Sequence, residues 1–172
     1  MTVASVPGLI LAAILAGPST AAPARAAVAR CATPGLVVWL DTRGDGAAGS
    51  VYYKLELTNL SGQRCTLDGY PGVSAVDLGR HQLGSPAGRN PHLAPHAITL
   101  GKGATATAVL QITEAGNFPA ATCRKETAAG LRVFPPGATS SEIVPFPFSA
   151  CSRPGPVYLH VEAVAKSSSR TG

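Results

Sequence analysis

The sequence is poor in charged and aromatic side chains. Asp, Glu, Lys and Arg make up 13% of its 172 residues, and Phe, Trp and Tyr make up 5%. The formal net charge is +5, and basic side chains stand singly except at residues 124–125. Without a basic cluster or interleaved aromatic residues, we predict no nucleic-acid partner. The hydrophobic content of 45% is nevertheless too high for a disordered chain.

Long apolar runs are also missing. Residues 9–16 (LILAAILA) are followed by Gly-Pro, whereas a membrane-spanning helix needs about 20 apolar residues. A run of this length suits the core of a Sec-type signal peptide, and Ala-x-Ala sites allow cleavage after Ala24 or Ala29. We therefore expect a secreted or cell-wall-associated protein with no stable membrane span after cleavage. Because no basic residue precedes the apolar core, an uncleaved anchor or a misassigned start codon is the alternative.

The chain divides into three predicted parts. Residues 1–29 form the signal peptide, residues 30–165 form a single domain, and residues 166–172 form a polar, disordered tail. Cys31 follows Arg30, whereas a lipid-modified Cys follows a small residue close behind the apolar core. The sequence therefore does not predict a lipoprotein.

The remaining composition indicates an all-β fold. The chain has 19 Gly and 15 Pro, which disfavour a helical bundle because both residues destabilise helix interiors. Apolar residues recur with a period of two, as expected for half-buried strands. We predict an immunoglobulin-like antiparallel β-sandwich of about seven strands. The candidate strands are residues 36–40, 51–58, 73–78, 97–100, 105–112, 130–134 and 157–164.

Turn-rich segments separate these candidate strands. Residues 114–130 leave room for a short helix, which Pro119 limits. The long loops at residues 41–50 and 79–95 are candidate contact surfaces, since loops on rigid sandwiches carry recognition. Residues 145–148 (PFPF) either form an exposed apolar ridge or cover one open end of the core.

Four widely spaced cysteines predict two structural disulfides in an oxidising compartment. No two of them form a Cys-x-x-Cys pair, and this argues against a zinc ribbon or thioredoxin-like redox chemistry. Three pairings are possible for four cysteines. We favour Cys31–Cys65 and Cys123–Cys151, because each bond then closes a separate loop near a candidate strand.

No motif predicts catalysis, a cofactor or a metal. The sequence has no Gly-x-Ser-x-Gly elbow and no Ser-x-x-Lys. His92 and His96 have i, i+4 spacing, but adjacent prolines break the helix that would bring them together. His81 is a further loop histidine, and His160 is expected to be exposed on the outer face of the last strand. An acidic residue converging with a loop histidine would change this interpretation.

A longer segment carries a family resemblance. Residues 57–73 read LTNLSGQRCTLDGYPGV, and residues 98–110 read ITLGKGATATAVL. They resemble the Asn-x-Ser turn, the Cys-Thr-Leu and Gly-Tyr-Pro segments and the Ala-rich strand of a family of exported actinobacterial proteins, domain of unknown function 4232. The resemblance covers residues 31–163 and implies an exported, disulfide-bonded β domain, often attached to the cell envelope, without assigned activity. The motif residues are Asn59, Ser61, Cys65, Gly69, Tyr70 and Pro71.

The motif also has a structural interpretation. Asn59 and Ser61 suit a turn in which side chains bond nearby backbone groups. Tyr70 is expected to bury its ring in a tight corner and to donate its hydroxyl to a carbonyl. We interpret these residues as scaffold, and a binding role for Tyr70 is the alternative.

The sequence therefore predicts a secreted, non-catalytic β-sandwich module of the cell envelope with a binding or structural role. Its partner is unknown, and a cell-wall component or an extracellular protein is the candidate. Two other functions stay open. A secreted inhibitor or effector would bind an extracellular enzyme through one loop, and a cryptic hydrolase would bring together polar residues that are distant in the sequence.

Overall fold

The computed structural model of the chain describes residues 1–2 and 27–167. The core of the predicted signal peptide and the cleavage site after Ala24 lie outside the described residues. Among the described residues, no helix is both long enough and apolar enough to cross a membrane.

Twelve strands and three short helical turns form the described domain. The strands are β1 Leu36–Ala47, β2 Ser50–Asn59, β3 Cys65–Leu67, β4 Gly72–Val76, β5 Gln82–Leu83, β6 Gly88–Arg89, β7 Ile98–Leu100, β8 Thr105–Thr113, β9 Lys125–Phe134, β10 Glu142–Cys151, β11 Leu159–Val161 and β12 Ala165–Lys166. The helical elements are 3₁₀ turns at Thr33–Gly35 and Ala115–Asn117 and one α-helical turn, α1, at Ala120–Cys123. The predicted all-β class is confirmed.

The strands form two larger sheets and one small ribbon. The first sheet has the order β1-β2-β8-β11-β6, with β12 also paired to β8. The second has the order β10-β9-β4-β5, and β3 pairs with β7. All pairs are antiparallel except β6 with β11. The sheets form a sandwich that is not closed into a barrel.

The core lies between the sheets and is built from alternate residues of each strand. In β8 the inward residues Ala106, Ala108, Leu110 and Ile112 are buried, whereas the residues between them are half-buried. The small Ala106 and Ala108 lie opposite Leu57 and Leu55 of β2 in the register. Small and large side chains therefore alternate across the strand pair, as close packing requires.

Both predicted disulfides are present. Cys31 is bonded to Cys65, and Cys123 is bonded to Cys151. No described cysteine is free. The first bond ties the segment before β1 to β3, and the second ties α1 to the end of β10. Each disulfide thus joins an irregular segment to the sandwich.

Strand β10 was missed because its sequence, EIVPFPFSAC, contains two prolines. Proline cannot donate to a sheet ladder and is confined to edge strands and bulges. β10 is an edge strand, and its register with β9 shifts between Pro145 and Phe148. Both constraints are met here. β9 also begins at Lys125, five residues before the predicted start, so the expected helix is reduced to short turns.

Other strand boundaries differ from the prediction because backbone pairing extends into residues whose sequence is typical of turns. β1 continues to Ala47 and meets β2 through a two-residue turn in which Ala48 and Gly49 both have positive φ. This conformation matches the twist of a hairpin. The loop predicted at residues 79–95 contains β5 and β6. Lys166 was assigned to the disordered tail but pairs with Ala106 of β8, while residues 168–172 lie outside the described residues.

Candidate functional site

The first sheet has an outer face, on the side away from the core, which we call the open face. It consists of the outward side chains of β1, β2, β8 and β11. Antiparallel pairing places these side chains in rows across the sheet. Its members are Val37, Trp39, Asp41, Ser50, Tyr52, Lys54, Glu56, Thr58, Thr105, Thr107, Val109, Gln111, Thr113 and His160.

One row places the tryptophan beside a shielded carboxylate. Trp39 lies directly opposite Glu56, which in turn lies opposite Thr107. Trp39 is 45% exposed, whereas Glu56 is only 6% exposed. The Thr107 hydroxyl donates a 2.8 Å hydrogen bond to Oε2 of Glu56. The hydrogen bond fixes the carboxylate at the position opposite Trp39, while the Trp39 side chain is partly open to solvent.

Hydroxyl groups of the open face are already hydrogen-bonded to each other. Ser50 and Thr113 are joined at 3.1 Å, and Thr58 and Thr105 at 2.9 Å. The Gln111 amide donates to the Ser50 hydroxyl at 3.0 Å. These bonds cross from β2 to β8 and hold the side chains in place. A partner that binds here therefore meets polar groups whose rotamers are already ordered.

The open face is close to electrically neutral. Asp41, Glu56 and the neighbouring Glu162 carry negative charge, and Lys54 and Arg43 carry positive charge. Arg43 donates hydrogen bonds to both carboxylate oxygens of Asp41. These bonds, more than the weaker attraction of Lys54, hold the pKa of Asp41 below its ordinary value. The face therefore lacks the positive field that would attract a polyanion.

His160 differs from its expected environment. It is half-buried rather than exposed, and its Nδ1 is a buried atom without a hydrogen-bond partner among the described residues. β6 packs closely against the other side of the ring, because a Cβ on Gly88 would lie 3.0 Å from Cδ2 of His160 and 3.1 Å from Val157. His160 lies opposite Gln111 in the register. In the row that His160 shares with Gln111, the His160 end is therefore partly shielded from solvent.

The Asn-x-Ser part of the motif organises a turn. Asn59 is fully buried, and its amide nitrogen donates to the backbone carbonyls of Gln63, Leu100 and Gly101 at 2.7, 3.1 and 3.1 Å. Its carbonyl oxygen accepts from the hydroxyl and the backbone N–H of Ser61. Asn59 therefore joins the end of β2 to the end of β7.

The Gly-Tyr-Pro corner has a similar structural role. Gly69 has φ +102° and its carbonyl accepts from the Val164 backbone N–H at 3.0 Å. Tyr70 is half-buried, with the Arg89 guanidinium 5.4 Å from its ring centre. Within the described residues its hydroxyl forms no hydrogen bond, so the expected bond to a carbonyl is not present, and the ring packs against a cation. Pro71 is buried.

A histidine and a carboxylate do meet, at the tip of the β4–β5 hairpin. Nδ1 of His81 lies 3.1 Å from Asp77, which also accepts the His81 backbone N–H at 2.8 Å. The backbone bond is the main reason why the pKa of Asp77 lies below its ordinary value. The His81 side chain is 82% exposed, and within residues 27–167 no hydroxyl or thiol bonds its ring. A nucleophile activated by His81 would need such a bond.

The same tip bears on the inhibitor alternative. Leu78 is 94% exposed, yet the Arg80 backbone N–H donates to the Asp77 carbonyl at 3.0 Å and closes a tight turn. Arg80 has φ +64°. The tip is therefore a closed, preorganised turn and not a segment that an enzyme could bind as a strand, and the inhibitor alternative stays a prediction. The adjacent depression of about 210 Å³ is lined by Asp77, Leu78 and Arg80 and does not include His81.

The Pro-Phe-Pro-Phe segment covers the core. Phe146 packs edge to face against Tyr53 with ring centres 5.0 Å apart, and it stacks with Phe148 at 5.6 Å. Both phenylalanines are partly buried against the core. The alternative of an exposed apolar ridge is therefore wrong. Burial also raises the pKa of Tyr53, with a smaller contribution from Glu114.

Sequence analysis did not identify the open face as a candidate site. Alternation within each strand already assigned Tyr52, Lys54 and Glu56 to one side. It did not show that Trp39 and Thr107 flank Glu56, because that placement depends on the pairing of β1, β2 and β8. Among residues 27–167, no group of three or more His, Cys, Asp or Glu is placed to hold a metal ion.

Comparison with known proteins identifies a family and no individual relative. A family model described as "Domain of unknown function (DUF4232)" matches residues 31–165. No curated protein and no solved structure matches the chain.

Proposed function

The chain belongs to the DUF4232 family, and from this premise we propose that it is an exported, non-catalytic module of the cell envelope that binds its partner through the open face. The observation that carries the proposal is the single tryptophan of the chain, which is 45% exposed on the edge strand β1 of a largely polar sheet face. An exposed aromatic residue among ordered polar groups is typical of a recognition surface.

Export is supported by two features. The paired cysteines suit an oxidising compartment, and the apolar run at residues 9–16 suits a signal peptide. The contacts of Ala29 favour the earlier cleavage site, after Ala24. The Ala29 carbonyl accepts hydrogen bonds from the backbone N–H and the hydroxyl of Thr66, at 2.9 and 3.3 Å. Cleavage after Ala29 would remove both bonds.

A further part of the proposal is that the chain has no catalytic activity. The Asp77–His81 pair lies on an exposed hairpin tip, away from the open face. Replacing His81 with Ala is therefore expected to leave binding to the envelope unchanged.

The intact mass of the protein from culture medium tests export. We expect a chain that begins at Arg25, takes up no alkylating reagent before reduction and takes up four equivalents after it, one per cysteine. A full-length chain found only inside cells, with reactive thiols, would refute export and the disulfides together.

Sedimentation with the insoluble envelope of the producing cells tests binding. We expect the wild-type chain to sediment with the envelope and Trp39→Ala to stay in the supernatant. Leu78→Ala is the matched control, because Leu78 is more exposed than Trp39 but lies on the β4–β5 tip. Equal sedimentation of all three chains would show that the open face is not the binding surface.

A further inference from the structure

The open face has the chemistry of a carbohydrate-binding surface. We propose that it binds an uncharged linear polysaccharide, one sugar ring of which stacks on the Trp39 indole. This inference rests on the proposed function, since it names the partner of the same face.

The aromatic groups are placed to bind successive parts of an extended polymer. Trp39 lies opposite Glu56 on β2, and Tyr52 is four residues further along that strand. At about 3.3 Å per residue, the backbone positions of the two residues are about 13 Å apart along the strand direction. A sugar ring presents C–H groups on its face, which pack on an aromatic ring as other apolar groups do. A chain of sugars lying along β2 therefore meets both rings.

Polar groups between the rings match the rim of a sugar. Sugar hydroxyls both donate and accept hydrogen bonds, and the side chains of this surface do both. Lys54 and the Gln111 amide donate, and the Thr107 hydroxyl, whose proton is given to the shielded Glu56, accepts. Thr107 and Gln111 are already oriented by bonds to Glu56 and Ser50. Prior ordering lowers the entropy that binding costs.

The charge of the open face favours an uncharged glycan over the charged polymers of a cell surface. The net charge of the chain is +5, but on β1 and β2 the cations of Arg43 and Lys54 are balanced by the carboxylates of Asp41 and Glu56. A phosphate- or carboxylate-rich polymer would meet these carboxylates without the excess of cations that it needs.

The composition of the surface also argues against a protein partner. The centre of a protein–protein interface is depleted in charged residues and rich in large apolar ones. Here Trp39 has one exposed apolar neighbour, Val37, and one acidic neighbour, Asp41, on β1. Its neighbours on β2 are Glu56, Lys54 and Thr58, so most of the surrounding side chains are polar or charged. A surface of this kind suits a ligand that is itself coated with hydroxyls.

Treated cell walls test the proposal. Walls of the producing cells are boiled in detergent, digested with protease, and then stripped of phosphate polymers with acid. We expect the wild-type chain to sediment with these walls as well as with untreated ones. Loss of binding after protease would identify a protein partner, and loss after acid treatment would identify an anionic polymer. Either loss would overturn the glycan proposal while the proposed function stands, whereas failure to bind untreated walls refutes the proposed function itself.

Soluble oligosaccharides test the stacking directly. Trp39 is the only tryptophan, so its fluorescence reports on this site alone. Cellohexaose or chitohexaose is expected to shift its emission to shorter wavelength in a saturable manner, and polygalacturonate is not. No shift with either uncharged oligosaccharide, or an equal shift with polygalacturonate, would overturn the proposal.

Variants separate stacking from a general loss of folding. Trp39→Ala is expected to weaken binding on the order of 10-fold, and Trp39→Phe to restore part of it. Affinity is measured calorimetrically, because these variants lack the tryptophan signal. Leu78→Ala should bind like the wild type, and thermal unfolding should show that all three variants are folded. Undiminished affinity of a folded Trp39→Ala chain would refute the assignment.

Discussion

The Ser61 hydroxyl donates to Oδ1 of Asn59 at 2.7 Å, and the Ser61 backbone N–H donates to the same oxygen at 3.0 Å. This relationship sets the orientation of the Asn59 amide, because with the oxygen directed at Ser61 the nitrogen faces three backbone carbonyls. The best-defined part of the family motif is therefore a buried hydrogen-bond centre of the scaffold.

Asn59→Asp tests this centre. The two side chains have the same shape, but a carboxylate cannot donate to the carbonyls of Gln63, Leu100 and Gly101. We expect a loss of about 3 kcal/mol in the free energy of unfolding, measured by denaturant titration at neutral pH. Asn117→Asp is the matched control, since the exposed Asn117 amide donates only to the Gly49 carbonyl. Comparable losses in both variants would contradict the special role of Asn59.

Gly130 is a second position where the scaffold admits no change. A Cβ at Gly130 would overlap the backbone carbonyl of Val144 in β10, next to the register shift at Pro145. Gly130→Ala should therefore cost about 2 kcal/mol. Gly101→Ala is the control, because a Cβ there meets no atom within 4 Å. Equal thermal unfolding temperatures for the two variants would contradict this prediction.

Tyr158 makes stability depend on pH in the alkaline range. Its side chain is buried and its hydroxyl donates to the Leu83 carbonyl at 3.3 Å. Burial raises the pKa of Tyr158 well above its ordinary value. The folded state therefore keeps a proton that the unfolded state releases near pH 10. The contribution is fully present below pH 10 and is lost as the pH rises from there towards the folded-state pKa.

Tyr158→Phe is the variant that isolates this effect. At pH 8 we expect it to be less stable by about 1 kcal/mol, the loss of one hydrogen bond. Between pH 10 and 11 the wild type should lose stability faster than Tyr158→Phe, measured by urea unfolding. Parallel pH profiles would show that Tyr158 ionises as readily in the folded state as in the unfolded chain.

We expect the two disulfides to contribute similarly to the free energy of unfolding but to be reduced at different rates. They span similar separations of 34 and 28 residues, so removal of either pair should cost about 3–4 kcal/mol in the chain-entropy account. Cys123 and Cys151 are fully buried, whereas Cys31 and Cys65 are 5% and 6% exposed. Brief reduction followed by alkylation and peptide mapping should label Cys31 and Cys65 first. Labelling of Cys123 first would mean that α1 opens more readily than the segment before β1.

The two strands with the strongest alternation were predicted almost to their ends. Residues 51–58 and 105–112 became Ser50–Asn59 and Thr105–Thr113, because a period of two reports the burial of one face directly. β10 could not be predicted in this way. Its prolines are tolerated only because it lies at a sheet edge and contains a bulge, and neither circumstance is visible before the strands are paired.

The amino-acid sequence by itself indicated the all-β class and the family, and it favoured one of three disulfide pairings, which the structure then established. The class follows from local periodicity, and the family from two short motif segments. Only the tertiary structure decided that Trp39, Glu56 and Thr107 share one row and that His160 is covered by β6. The physical reason is that alternation assigns a side chain to a face of its own strand, whereas its neighbours on that face are set by the register with other strands.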